Sequence, residues 1–124
     1  MTMLIPLILS CLLANTDKPL TPVEARKKLG ESITVELTVK AAKDRLEKRG
    51  EIYLDAREDF RDEKNFAVVI TKAGAASLQE AGIADPASHF KDKTIRATGT
   101  VTEVDGVPRI EIDDAKQMQE VKQP

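Results

Sequence analysis

The sequence predicts a mainly β fold: a five-stranded barrel with a helix between strands three and four and a short N-terminal helix. Three observations carry this. Ile33, Val35, Leu37 and Val39 alternate with Thr34, Glu36 and Thr38, the period of a strand with one buried face. Residues 97–114 read ATGTVTEVDGVPRIEIDD, two alternating stretches meeting at an Asp-Gly pair that favours a tight hairpin turn. A block of helix formers, AGAASLQEAGI, interrupts the strands after the third of them.

The elements follow in order. In LTPVEARKKLG, Thr21 is a good N-cap, Pro22 suits the first helical position and Glu24 completes a capping box. Gly30 is the natural stop, and Val23 and Leu29 are expected to face the core. SITVELTVKA is the first strand, and the charged stretch AKDRLEKRG reads as a loop with room for a helical turn, ending at Gly50. EIYLDA is the second strand, with Ile52 and Leu54 inward and Tyr53 outward. REDFRDEKN is a polar connector, and FAVVITK is the third strand with Phe66, Val68 and Ile70 on one side.

The helical block places Leu78 and Ile83 inward and stops at Gly82. DPASHF adds a turn of helix, capped by Asp85 with Pro86 at its first position. TIRATGTVTEV is the fourth strand, where Gly99 leaves room for a bend. VPRIEIDD is the fifth, with Ile110 and Ile112 inward and Pro108 at a strand start or edge. The tail has no clear period, although Met118 and Val121 are suited to cap a barrel. Three strands, a helix and two strands is the layout of the oligonucleotide/oligosaccharide-binding, or OB, fold.

The stretches EARKKLGESITVELTV, IYLDAREDFRDEKNFAVVI and FKDKTIRATGTVTEVDGVPRIEIDDAKQMQEV resemble small bacterial OB-fold domains of a nucleic-acid-binding-like kind, some in exported proteins. The resemblance implies the barrel and a nucleic-acid ligand. Gly99, Gly106 and Pro108 match its backbone positions. Val104, Asp105 and Val107 stand where those domains commonly carry an aromatic, a lysine and an arginine, while Arg109 keeps a polar residue at the next outward site.

Composition narrows the function. The length of 124 residues fits one domain, and 19 basic against 21 acidic side chains leave a formal charge of −2. A whole-molecule field of that kind steers little toward phosphate, so any grip on nucleic acid must come from a local patch. One cysteine, Cys11, excludes an internal disulfide. With His89 the only histidine, a closed zinc site of four Cys and His ligands is out of reach. No cofactor is expected.

Residues 3–14, MLIPLILSCLLA, form an apolar run too short to span a bilayer comfortably and of signal-peptide length. The expected organisation is a leader over 1–14, a linker over 15–20 and the OB domain over 21–124. Export to the periplasm or exterior follows, by cleavage after Ala14 or, since ILSC resembles a lipobox, by lipidation of Cys11.

The ligand-binding candidates are Lys40, Tyr53, Arg57, Lys64, Arg96 and Arg109, with Phe60 in the connector. OB barrels that hold single strands combine a basic groove with aromatic stacking. The acidic group Asp55, Glu58, Asp59, Asp62 and Glu63 lacks the glycine and terminal glutamate of a calcium loop and is interspersed with Arg57, Arg61 and Lys64, so it reads as a salt-bridged connector. Asp55, Asp59 and Arg96 are the nearest imitation of the site of a nuclease family that shares this barrel, but no catalytic motif surrounds them. His89 has no partner suggesting a triad and is expected at a helix end beside Phe90. The expected function is an exported, non-catalytic module for a protein or polymer partner at the cell envelope, with single-stranded nucleic acid as the alternative.

Overall fold

A computed structural model of the chain describes residues 18–122, so the leader, its cleavage site and Cys11 lie outside the described residues. Seven strands are present among these: β1 (Ser32–Thr38), β2 (Ala41–Arg45), β3 (Glu51–Asp55), β4 (Ala67–Thr71), β5 (Thr94–Val104), β6 (Val107–Ile112) and β7 (Met118–Glu120). Four short helices accompany them: α1 (Pro22–Ala25), α2 (Leu46–Arg49), α3 (Lys72–Glu80) and α4 (Pro86–Phe90).

The strands form one sheet in the order β1-β5-β6-β4-β3-β2, with β7 added beside β5. All pairs are antiparallel except β4 with β6. This corrects the expectation of a closed five-stranded barrel. The hydrogen-bonded path is open, and its two ends, β1 and β2, are consecutive in the chain. The break falls at one peptide. Val39 exchanges backbone hydrogen bonds with the segment entering β5, donating to Lys93 at 2.9 Å and accepting from Asp92 at 2.8 Å. Lys40 instead donates to the Asp55 carbonyl at 2.9 Å. The apolar alternation runs through Val39 undisturbed, but the chain changes neighbours there.

Three further expectations are corrected. The stretch expected as a loop with a helical turn does hold that turn, α2, but its first part is a strand, β2. AAKDR has no buried residue, so it lacks the apolar stripe by which strands are read and is held by backbone pairing with β3. The first helix ends at Ala25 instead of Gly30, and Ala25 is buried while Val23 and Leu29 are exposed. Its capping box forms as expected, Glu24 N donating to Thr21 Oγ1 and Thr21 N to Glu24 Oε1. The tail contributes β7, which pairs Met118 with Ala97 and buries it on the core.

Val35, Leu37, Val39, Ile52, Leu54, Phe66, Val68, Ile70, Ile95, Val101, Ile110 and Ile112 fill the interior with Leu78 of α3 and Phe90 of α4. Each large apolar side chain so buried contributes about 1.5–3 kcal/mol. Two glycines permit close approaches. A Cβ at Gly74 would stand 2.0 Å from the Ile112 carbonyl oxygen, so α3 seats its first turn directly on the end of β6. A Cβ at Gly99 would meet Ile110 Cγ2 at 2.7 Å, where β5 passes from pairing with β1 to pairing with β6. Asp105 and Gly106 both adopt positive φ, 53° and 81°, completing the two-residue turn between Val104 and Val107.

Candidate functional site

On the outer face of β2, β3, β4 and β6, register sets the arrangement. Lys43, Tyr53, Val69 and Glu111 are paired neighbours in one row across the sheet, and Asp55, Ala67 and Arg109 in the next. Side chains at such positions share a face. All of these but Glu111 line a groove of about 380 Å³. Ala67 and Val69 are almost wholly buried beneath it. That was not anticipated from a strand read with only Phe66, Val68 and Ile70 inward. The unbroken run FAVVI is the pattern of a strand covered on both faces.

Tyr53 and Phe60 bring aromatic surface to this groove. Phe60 is 43% exposed and lies under two cations, Lys43 Nζ at 5.2 Å and Arg61 Cζ at 5.5 Å from the ring centroid. Exposed Lys43, Arg45 and Arg49 border the groove from β2 and α2. Sequence reasoning misses these three because their segment has no apolar stripe and reads as a loop. The available signal was the i, i+2 spacing of Lys43 and Arg45, which puts them on one strand face. The hairpin tip supplies Val104, Asp105 and Val107.

Arg109 is not a free cation. It is buried, and its Nη2 donates to Glu51 Oε2 at 2.7 Å and to Glu111 Oε2 at 2.9 Å. Its Nε is buried without a hydrogen-bond partner. Burial works against its charge, but Glu111 and Glu51 together outweigh that and raise its pKa. Glu51 also accepts from the Tyr53 hydroxyl through Oε1 at 2.6 Å. Burial first, and then this bond, raise the tyrosine pKa. The expected outward arginine is thus the centre of an ion cluster that orients Tyr53.

The connector over residues 56–65 is organised by Asn65, which is fully buried. Its Nδ2 donates to Asp55 Oδ1 at 3.0 Å and to the Phe60 carbonyl at 3.2 Å, and its Oδ1 accepts from Arg57 N at 3.0 Å. Burial raises the Asp55 pKa, with the Asn65 bond and the charge of Lys43 opposing. Asp62 accepts from Lys64 N and pairs with Arg57 at 3.2 Å, while Asp59 caps Arg61 N and pairs with its side chain at 3.6 Å. The acidic residues Asp55, Asp59 and Asp62 therefore serve the loop's own fold.

The other predicted residues lie elsewhere. Lys40, Arg57 and Lys64 border a second recess, of about 290 Å³, beside the β1–β2 junction. Arg96 on β5 faces Glu36 on β1 and pairs with it at 2.8 Å, and Glu36 lines the same recess. The six candidates thus divide: Tyr53 and Arg109 at the groove, three cations at the recess, and Arg96 bound to a carboxylate on its rim. His89 packs edge-on against Phe90 at 4.8 Å and meets Glu120 Oε1 at 3.2 Å, joining α4 to β7.

No family model matches the sequence, and no curated protein matches it. Solved structures do match the fold. The OBody AM1L10, in a structure bound to hen egg-white lysozyme, superposes over 86% of this chain and 96% of its own, with a TM-score of 0.58 and 12% identity. Asparaginyl-tRNA synthetase from Pyrococcus horikoshii matches 86% of this chain with a TM-score of 0.55 and 12% identity. Aspartyl-tRNA synthetase from Entamoeba histolytica matches 82% with a TM-score of 0.50 and 13% identity.

The chain has an OB fold. It spans 24% and 21% of the two synthetase chains, so the likeness is to one domain-sized part of each. At these identities the comparisons speak to architecture and not to a shared ligand.

Proposed function

We propose that this OB domain binds single-stranded nucleic acid, without catalysis, in the groove over β3, β4 and β6. The observation that carries the proposal is the pairing of two aromatic side chains, Tyr53 and Phe60, with the exposed cations Lys43, Arg45 and Arg49 around an apolar floor. Bases stack on aromatics with little regard to sequence, and cations follow the phosphates. The net charge of −2 leaves attraction to local cationic patches, so binding is expected in the micromolar range or weaker, about 10⁻⁴–10⁻⁶ M, and sensitive to salt.

Titration of labelled single-stranded DNA at low salt tests the reading. Binding that weakens on Tyr53→Ala and Lys43→Ala supports it, while no binding at high micromolar protein overturns it. Divalent-dependent cleavage in the same tubes would overturn the non-catalytic part.

A protein partner on the same face is the second reading. The apolar floor of Ala67 and Val69 favours it, as does the likeness to the OBody that was solved on lysozyme. Salt-insensitive capture of one envelope protein, lost on Phe60→Ala, would select it. Export itself rests on the apolar run at residues 3–14. The mature N-terminus, read from protein recovered from the envelope, tests that part.

A further inference from the structure

We infer that the recess formed by Lys40, Arg57 and Lys64 is a second, phosphodiester-binding subsite for the strand held in the groove. This rests on the nucleic-acid reading above. The recess adjoins the groove through the chain itself. Asp55 lines the groove and the next two residues, Ala56 and Arg57, line the recess. Along the chain, Lys40 of the recess lies one residue before β2 and Lys43 of the groove within it. The loop over residues 56–65 separates the two hollows and serves both, sending Phe60 to the groove and Arg57 and Lys64 to the recess.

The charge balance distinguishes the recess from the groove floor. Its carboxylate, Glu36, is already paired with Arg96, and Arg57 shares Asp62. Lys40 and Lys64 have no carboxylate within ion-pairing distance among the described residues. Both are exposed. The backbone that carries them is fixed: Lys40 N donates to Asp55, Lys64 N to Asp62 Oδ1 at 2.8 Å, and Arg57 N to buried Asn65. Cations presented from fixed backbone lose less freedom on meeting a ligand. On a molecule of net negative charge, this gathers Lys40, Arg57 and Lys64 around a recess bordered by the loop that also carries Phe60 to the groove. The chemistry it fits is a phosphate of a strand whose bases have left the groove.

The experiment compares oligothymidylates of about four and about twelve nucleotides, the range of OB-fold site sizes, on the whole chain and on a Lys40→Ala/Lys64→Ala variant. The wild-type protein is expected to bind the long strand more tightly than the number of overlapping registers explains, with the variant losing that gain. The slope of log affinity against log salt for the long strand is expected to fall in magnitude by about 1.4, two phosphates at roughly 0.7 each. Short-strand affinity is expected to stay unchanged, since Tyr53, Phe60 and Lys43 remain. Both lysines are exposed, so thermal melting should show the variant folded. Binding of both lengths with the same salt slope in variant and wild type overturns this inference and leaves the groove reading standing. Absence of binding at any length overturns both.

Discussion

Tyr53 and Glu51, two residues apart on the same face of β3, are joined by a 2.6 Å hydrogen bond from the phenol to Oε1. The second oxygen of that carboxylate is held by Arg109 from β6. The aromatic candidate of the groove is therefore positioned by a buried arginine on another strand.

The ring and the hydroxyl of Tyr53 have separable roles. Tyr53→Phe keeps a stacking surface, and its single-stranded DNA affinity should stay within a few-fold of wild type. Tyr53→Ala removes the surface and is expected to cost about 1–3 kcal/mol of binding. Fluorescence anisotropy on both variants decides it. Equal losses in the two would show that the hydroxyl, and not the ring, carries the contact.

Arg109 is a stability residue before it is a binding residue. Removing it leaves Glu51 and Glu111 facing one another around a half-buried site. Arg109→Met is expected to destabilise by about 2–3 kcal/mol, somewhat below a fully enclosed pair because Glu111 keeps solvent contact. Arg109→Lys restores the charge but, being shorter, does not bring its nitrogen to where Nη2 bridges Glu51 and Glu111, and should recover only part. Urea unfolding measures this, and an unchanged midpoint for Arg109→Met would refute it.

The two close-packed glycines should respond unequally to a methyl group. Gly74→Ala drives Cβ into a main-chain carbonyl that cannot rotate away, whereas Gly99→Ala meets a side-chain methyl of Ile110. Overpacking of this kind costs about 1–3 kcal/mol, with Gly74→Ala at the upper end and Gly99→Ala at the lower. A reversed order in thermal melts would mean that α3 shifts more easily than Ile110 repacks.

Asp55 and Asp62 pull the pH dependence in opposite directions. Burial raises Asp55 in the folded chain. The folded form then holds its proton longer than the unfolded one, and this contribution to stability is present at low pH and lost as pH rises through the raised value. The Lys64 amide and Arg57 lower Asp62, so its contribution is present above the ordinary carboxylate range and lost on acidification. Asp55→Asn removes the first effect and keeps the second. Wild type is expected to lose stability relative to this variant as pH climbs from the ordinary carboxylate range toward neutrality. A difference between them that stays constant across that span would rule out the burial argument.

Sequence pattern alone marks which segments carry an apolar stripe, the Thr21 and Asp85 caps and the hairpin turn. Those features are local: alternation decides a strand's buried face, Thr21 with Glu24 closes a capping box, and Asp105-Gly106 selects its turn. Strand and charge partners come from the packed chain. At Val39–Lys40 the chain changes neighbours and the core-facing side passes from the odd positions of β1 to Ala42, a shift that polar β2, with no apolar stripe of its own, does not display. β2 carries no buried residue and is a strand because β3 lies beside it. Arg109 looked outward from a period-two count, and so it is, but strand order sets Glu51 and Glu111 around it and turns a candidate ligand contact into a structural ion cluster. Hydrophobic periodicity is written along the chain, whereas charge pairing depends on which strands become neighbours.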